Sequence, residues 1–209
     1  MRYLAILLAL FLAAAACSFR QRYQRYANQR EGYFRGSSIV LTQEEVDYIV
    51  NLLPEGRFAT VLLYNASADG WSPEDFHRLS DGASQSLVLF TAKETGLRSF
   101  GYTSKSWHAN SSITVKPDDG AFIASLDLSY SYSSDQGAII TGSNTGPAFG
   151  NFNGRKLYGA PSVSTGLCIA GSETGFNIDL DENGNCILSG LPSGPFELSN
   201  MEVWQIITS

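Results

Sequence analysis

The chain contains two histidines, and one of them, His77, stands near carboxylates that suit acid–base chemistry. A histidine side chain can act as a general base or bind a metal ion. Asp69 is its first candidate catalytic partner, and Asp81 and Ser72 are also close in sequence. The alternative is a structural histidine, bonded to the backbone or to a neighbouring carboxylate. His108 falls in a polar loop, where we expect it to be solvated.

Asp179, Asp181 and Asn183 place oxygen atoms at alternate positions, as in the first half of a calcium-binding EF-hand loop. The last position of that loop needs a bidentate glutamate, but this chain has Gly190 there. The alternative is a β-hairpin with Asn183-Gly184, a favoured type I′ pair, at its tip. The three residues are therefore candidate metal ligands, and a hairpin is the competing interpretation.

Motifs of other enzyme classes are missing from the sequence. It has no G-x-S-x-G elbow, H-E-x-x-H helix, Walker loop or paired-cysteine zinc pattern. The glycine-rich stretch 142–154 lacks a following Lys-Ser/Thr and helix pattern, so we interpret it as turns. We therefore expect no cofactor.

Cys168 and Cys186 form an even pair if Cys17 is removed or acylated. In an oxidising compartment a disulfide between them is expected, and two free buried thiols are the alternative. Closing a loop of this length would stabilise the fold by about 3 kcal/mol in the loop-entropy model.

Two segments, Asn65-Ala66-Ser67 and Asn110-Ser111-Ser112, match the N-glycosylation sequon. They matter only in a eukaryotic secretory route. Of the two, Asn110 lies in the polar loop and is the better acceptor.

Residues 1–17 have the pattern of a secretory signal peptide. Arg2 precedes a 13-residue apolar run from Leu4 to Ala16. This run is too short to span a bilayer comfortably and ends in small residues, which predicts cleavage after Ala16. An uncleaved anchor or a buried helix is the alternative. The predicted location is therefore outside the cell or in the lumen of the secretory pathway.

Cys17 follows the predicted cleavage site directly, so a lipid-anchored protein with an acylated Cys17 is an alternative. Bacterial lipoproteins prefer leucine three residues before the cysteine, and this chain has Ala14. Residues 18–35 carry five arginines and one glutamate, a net charge of +4, with few apolar residues. This composition predicts a flexible, solvated linker. Its basic side chains could also contact an anionic membrane, as a second signal beside an acyl chain.

The 209 residues, 44% of them hydrophobic, suffice for one domain with a substantial core. Residues 36–209 carry eight basic and nineteen acidic residues, a net charge of −11. An acidic body excludes nucleic acid as a partner, because phosphates need a basic face.

Helix and strand signals alternate along this body. Thr42 to Glu45 form a capping box that begins one helix, and Ser72 to Asp75 begin a second, shorter one. The apolar run Ala59–Tyr64 predicts a central strand covered on both faces. About ten short strands separated by turns predict an α+β fold that is mainly β: a two-sheet antiparallel β-sandwich flanked by short helices.

Several short segments, which follow one another in a fixed order, are more informative about the family of the chain. They accompany the lead-in Gly36–Thr42 and the strand Ala121–Leu126. Their residues are Asp69, Gly70, Phe76, His77, Gly101, Tyr102, Trp107, Gly146, Pro147, Phe149, Gly150, Glu202 and Trp204. In order and spacing they resemble the TLDc domain, the module of oxidation-resistance-type proteins, over about residues 36–207. The predicted organisation is a signal peptide at 1–17, a basic linker at 18–35 and a TLDc-like domain at 36–209.

The resemblance implies a non-enzymatic interaction or regulatory module, linked to protection against oxidative stress, with an unknown protein partner. Several family members bind the cytosolic side of the vacuolar proton-pumping ATPase, which a secreted protein would not reach. One alternative is a hydrolase that uses His77 with Asp69 or another carboxylate, which requires an exposed ring in a cleft. The other is an extracellular adhesion or glycan-binding sandwich, which requires Tyr130 and Tyr132 to cluster on one surface.

Overall fold

The computed structural model describes most of the chain after residue 31. The described residues are 32–54, 56, 58–133, 138–151, 156–159, 164–168, 176 and 178–208. The predicted signal peptide, Cys17 and residues 18–31 of the predicted linker lie outside them. Among the described residues, no helix has both the length and the apolar character needed to cross a membrane.

Within these residues the chain forms three helices and thirteen strands. The helices are α1 (Gln43–Leu52), α2 (Ala66–Asp69) and α3 (Pro73–Ser80). The strands of the first half are β1 (Phe58–Asn65), β2 (Ser86–Ala92), β3 (Arg98–Thr103), β4 (Thr114–Pro117), β5 (Phe122–Ser125) and β6 (Ser131–Ser133). Those of the second half are β7 (Ala138–Thr141), β8 (Ala148–Asn151), β9 (Lys156–Gly159), β10 (Thr165–Cys168), β11 (Asn185–Cys186), β12 (Leu191–Pro192) and β13 (Gly194–Thr208).

Two antiparallel sheets share the long strand β13. The first sheet has the order β1-β13-β2-β3-β5-β6. The second has the order β4-β7-β8-β9-β10-β13. Gly194–Glu197 of β13 pair with β10, whereas its later residues pair with β2 and β1. Strands β11 and β12 form a separate two-stranded ribbon. The predicted mainly β sandwich with short helices is thus confirmed.

Successive side chains of the first sheet face two different cores, because neighbouring residues of a strand point to opposite faces. On β2, Val88 and Phe90 lie between the sheets, and Leu87 and Leu89 face the outer core under α1. None of the four is more than 1% exposed. Burying each such side chain contributes about 1.5–3 kcal/mol. Strand β2 is therefore covered on both faces.

The position of strand β1 in the sheet differs from the position predicted for Ala59–Tyr64. Its only strand partner within the described residues is β13, so it lies at an edge of the first sheet. Its Val61 is 43% exposed and its Leu62 is 39% exposed. The prediction of a central strand covered on both faces is wrong, because an apolar run does not reveal how many neighbours the strand has.

Helix α1 covers the outer face of the first sheet. The Thr42 hydroxyl accepts a hydrogen bond from the Glu45 N–H, and the Glu45 carboxylate accepts one from the Thr42 N–H, so the predicted capping box is confirmed. This arrangement satisfies two N–H groups that have no partner inside the helix. Val46 and Ile49 then lie on one face and enter the outer core.

Residues 33–40, here called the N-terminal strap, lie beside α1 on the same face. Phe34 is 3% exposed and packs edge-on against Trp204, with ring centroids 5.5 Å apart. Tyr33 stacks on Phe58 at 4.6 Å, and the Phe34 N–H donates to Thr60 Oγ1. Contacts with the sheet therefore already include residues 33 and 34, before residue 36, the predicted start of the domain.

Candidate functional site

We call the thirteen residues that carry the family resemblance the signature residues. Several of them, from separate segments of the chain, meet between the two sheets. Phe76 packs edge-on against Trp107 at 5.6 Å, and Trp107 packs edge-on against Phe149 at 5.9 Å. A Cβ atom at Gly101 would lie 2.5 Å from Cε2 of Phe149, so only glycine allows β3 and β8 to approach this closely. Trp107 Nε1 donates to Ser86 Oγ at 2.8 Å. These residues thus build the contact between the layers.

Other signature residues also lie in the interior. Tyr102 is 2% exposed and stacks on Phe122 at 5.4 Å. Gly146, Pro147 and Gly150 are buried around β8. Their burial indicates a role in packing.

Helix α3 positions His77 against the second sheet. Ser72 caps this helix by accepting a hydrogen bond from the Asp75 N–H, and Pro73 occupies its first turn. Pro73 has no N–H to leave unpaired and its φ angle suits the helix. Phe76 and His77 follow within one turn and are buried. The capping residues therefore fix where the imidazole points.

The His77 ring is 4% exposed, and hydrogen bonds occupy both of its nitrogens. Nδ1 lies 2.6 Å from Oδ1 of Asp81, and Nε2 lies 2.8 Å from the Gly142 oxygen and 2.9 Å from the Thr145 oxygen. We call these four residues the His77 centre. Carbonyl oxygens only accept, so Nε2 carries a hydrogen, and Nδ1 is held by the Asp81 carboxyl group. No ring nitrogen is left for a substrate or a metal ion.

Asp69, the predicted catalytic partner of His77, instead stabilises the turn in which it lies. Asp69 Oδ2 accepts a hydrogen bond of 2.8 Å from the Asn65 N–H. The Tyr64 hydroxyl donates to the Gly70 oxygen at 2.6 Å. Burial raises the pKa of Tyr64, and the carboxylates of Asp75 and Asp69 raise it further, so the hydroxyl remains a donor. The carboxylate that contacts His77 is thus Asp81.

Glu202 is a second buried ionisable group, 0% exposed within β13. Its Oε1 accepts from the Ser38 N–H at 2.7 Å and the Ser38 hydroxyl at 2.6 Å. Its Oε2 accepts from the Ser37 hydroxyl at 2.6 Å and from Trp204 Nε1 at 2.9 Å. We call these four residues the Glu202 centre. Four neutral donors satisfy the buried carboxyl group and attach the N-terminal strap to β13.

The motifs therefore hold one interior together, and the sequence profile of the TLDc domain matches residues 34–207. The chain belongs to the TLDc domain family. No curated protein gives a significant match to it. The family match begins at Phe34, which agrees with the position of the N-terminal strap on the domain.

Besides Glu202, a second carboxylate of this TLDc domain is buried, and sequence reasoning missed it. Asp118 is 2% exposed and accepts hydrogen bonds from the Thr103 hydroxyl, the Ser104 N–H and the Ser104 hydroxyl. It fastens the end of β3 to the turn before β5. Its segment, Pro117-Asp118-Asp119-Gly120, has a composition typical of a loop, and no spacing rule connects it with Thr103 or Ser104.

Near the TLDc signature tryptophan, Ser106 and His108 form a more exposed pair. Ser106 Oγ lies 2.9 Å from Nε2 of His108, a contact that the prediction of a solvated His108 did not include. In the described part of the chain no carboxylate binds the His108 ring. Lys116 donates to the Ser106 oxygen, and burial lowers the pKa of this lysine while Asp81 opposes the shift. A nucleophilic site would also need an orienting acid for His108.

The candidate calcium ligands lie at a turn in the TLDc domain. Asp181 Oδ1 accepts from the N–H groups of Asn183 and Asn185, and these hydrogen bonds lower the pKa of Asp181, with the Asn185 backbone the largest cause. Asp179 accepts from the Tyr132 hydroxyl at 3.3 Å. No cluster of three or more histidine, cysteine or acidic side chains suited to a metal occurs among the described residues.

An antiparallel bridge between Leu180 and Cys186 closes the turn, as the predicted hairpin requires, but the turn is not of type I′. The Gly184 N–H donates to the Asp181 oxygen, and Gly184 has a φ angle of +81°. A type I′ turn needs positive φ angles at both Asn183 and Gly184. Asn183 does not have one, so that turn type is wrong. The side chain of Asp181 holds the turn instead.

The predicted disulfide between Cys168 and Cys186 is present and buried, with Cα atoms 6.3 Å apart. It attaches the β11–β12 ribbon to β10 in the second sheet. Asn110 is exposed, whereas Asn65 uses its side chain to cap α2 by accepting from the Ser67 N–H. Glycosylation of either asparagine stays a prediction.

The two tyrosines of the adhesion hypothesis have different environments. Tyr130 is 49% exposed. Tyr132 packs against the inter-sheet core, and burial raises its pKa to about 12. Tyr132 is thus only partly exposed and offers less free ring surface than the adhesion hypothesis expects.

Proposed function

We propose that this TLDc domain is a non-enzymatic interaction module of a secreted or luminal protein that helps to protect against oxidative stress. The main support is the occupancy of His77, whose two nitrogens are both held by acceptors inside the protein. A general base must reach the proton that it removes. The hydrolase hypothesis required an exposed His77, and its ring is buried.

The polar signature residues also support an interaction role, because their side chains bind other parts of the domain. Asp69, His77 and Glu202 each hold a neighbouring segment of the domain in place. They therefore form the scaffold, and the outer surface remains for a protein partner. An acidic body of net charge −11 favours a partner other than nucleic acid.

The test is survival under peroxide of host cells that lack the protein and are complemented with variants. His77→Gln retains an N–H donor group for the carbonyls of Gly142 and Thr145 but removes the imidazole. We expect this variant, once its fold is verified by circular dichroism, to protect cells as well as the wild type. His108→Gln is the matched control on the exposed histidine. Loss of protection with a folded His77→Gln variant, while His108→Gln protects, would refute the non-enzymatic role.

The location is tested by intact-mass spectrometry of the protein from its native host. A chain that begins at Cys17 or Ser18 and gains two hydrogens on reduction supports secretion with the disulfide. Added acyl mass on Cys17 would instead support a lipid-anchored protein, in which the basic segment 18–35 assists membrane contact. An uncleaved chain with free thiols would refute both locations.

A further inference from the structure

Within the described part of the chain, one edge of strand β1 is not paired with another strand. Its sequence, Phe58-Ala-Thr-Val-Leu-Leu-Tyr-Asn65, contains no charged residue and no proline. Natural proteins usually protect an edge strand with lysine, proline, a short length or a cover. Within the described residues, β1 pairs only with β13, so the N–H and C=O groups of its other edge have no strand partner there.

Exposed apolar side chains accompany this edge. Val61 and Leu62 on β1 are 43% and 39% exposed, and Ile207 on the adjacent β13 is 45% exposed. Ala59 pairs directly with Ile207, so Ile207 lies close to Val61 on one face of the sheet. A register shift between Leu62 and Tyr64 interrupts the regular strand. The regular edge therefore runs from Phe58 to Leu62.

The N-terminal strap holds this segment extended. The Phe34 N–H donates to Thr60 Oγ1 at 2.9 Å, and the Tyr33 ring stacks on Phe58. Both contacts use side chains on the outer face of the sheet. They leave the backbone edge in a conformation that is already suitable for pairing, which lowers the entropy cost of binding.

We propose that β1 pairs antiparallel with β1 of a second copy of the chain, around a two-fold axis at Thr60. In this register Phe58 of one copy faces Leu62 of the other, and Ala59 faces Val61. Each pair is uncharged, so the contact brings no like charges together although each body carries a net charge of −11. Antiparallel pairing of one strand with itself is self-complementary, as a two-fold interface requires. The proposal rests on the interaction role proposed above and names a second copy as the partner.

The experiment is analytical ultracentrifugation of the chain from Ser18 to Ser209 over a hundredfold range of concentration. We expect a reversible dimer for the wild type. Val61→Lys places a charge beside the axis in both copies and should shift the protein to monomer at every concentration. Leu128→Lys is the matched control, because Leu128 is also exposed, at 44%, and lies outside β1 and β13. It should remain dimeric.

A second measurement locates the contact. Hydrogen–deuterium exchange of the amides in residues 58–62 should slow as protein concentration rises, and Val61→Lys should abolish that dependence. A monomeric wild type overturns the proposal, including the case in which residues 18–31 occupy the edge within one chain. A dimer that survives Val61→Lys, or that leaves exchange in 58–62 unchanged, also overturns it. The peroxide test of His77→Gln does not depend on dimer formation, so either proposal can fail alone.

Discussion

The Glu202 centre and the His77 centre both bury an ionisable side chain, but they connect different parts of the chain. Glu202 binds Ser37 and Ser38, which are 165 and 164 residues away in sequence. His77 binds Asp81, the residue directly after its own helix, and two carbonyl oxygens of the loop between β7 and β8. The first centre therefore depends on docking of the N-terminal strap, and the second orders a helix and one loop.

Access to water also differs between the two centres. Glu202 is 0% exposed, and the Trp204 N–H that it accepts from is buried as well. In the His77 centre, the side chain of Asp81 is 31% exposed, so water can replace a lost partner there. The Gly142 oxygen also accepts from Thr145. Unpaired buried groups cost more free energy than groups that water can reach, so the Glu202 centre should be more sensitive to substitution.

The largest effect is expected for Glu202→Gln, which keeps the size of the side chain. One carboxylate oxygen faces the Ser38 N–H and the other faces Trp204 Nε1, and both of these groups only donate. Either orientation of the amide therefore directs its NH₂ group at a donor. We expect a loss of about 3 kcal/mol in the free energy of unfolding, measured by urea denaturation.

The matched control for this variant is Glu197→Gln on the same strand, because the side chain of Glu197 is 63% exposed. It should leave the denaturation midpoint nearly unchanged. Equal stability of the Glu202→Gln variant and the wild type would contradict the role given to the Glu202 centre.

An intermediate effect is expected for His77→Leu. The substitution removes all three hydrogen bonds of the ring, but Asp81 and Gly142 keep other partners. We expect a loss of about 1.5 kcal/mol in the free energy of unfolding. His77→Gln should lose less, since its amide can still donate to the carbonyl oxygens. If His77→Leu proved more damaging than Glu202→Gln, the ranking of the two centres would be reversed.

The smallest effect is expected for Ser37→Ala. Ser37 donates to Glu202 and accepts from the N–H groups of Ile39 and Val40, yet Ser38 keeps its own two bonds to the carboxylate. We expect a loss of about 1 kcal/mol. Hydrogen exchange should quicken in residues 33–40 and stay unchanged around His77. Ser112→Ala, at an exposed position, is the control, and faster exchange around His77 would show that the centres are coupled.

Local chemistry in the sequence predicted several elements well. The capping signals at Thr42 and Ser72 mark the starts of α1 and α3 as the structure has them. Asp81 was among the candidate partners of His77 named from the sequence, and its spacing favours it over Asp69, because residues four apart on a helix are neighbours. The family motifs then indicated a two-sheet sandwich. Interactions between residues that are close in sequence can thus be predicted from the local sequence.

Relations between distant residues were not predictable in the same way. No spacing rule connects Ser37 and Ser38 with Glu202, because their contact arises only when the strap and β13 lie side by side. The apolar run of β1 likewise predicted a strand but not its position at an edge. Such features depend on which segments become neighbours in the sandwich, which a single sequence does not specify.

Strand β13 also sets the order in which this domain can assemble during synthesis. Its partners β1, β2 and β10 are all translated earlier, and the pair Phe58–Thr208 joins residues at nearly opposite ends of the domain. Until β13 emerges, the first sheet lacks its link between β1 and β2, and the two layers lack the strand that they share. Such non-local pairing slows folding and leaves strand edges open to aggregation in the interval. The nascent domain should therefore depend on chaperones until its last strand has been made.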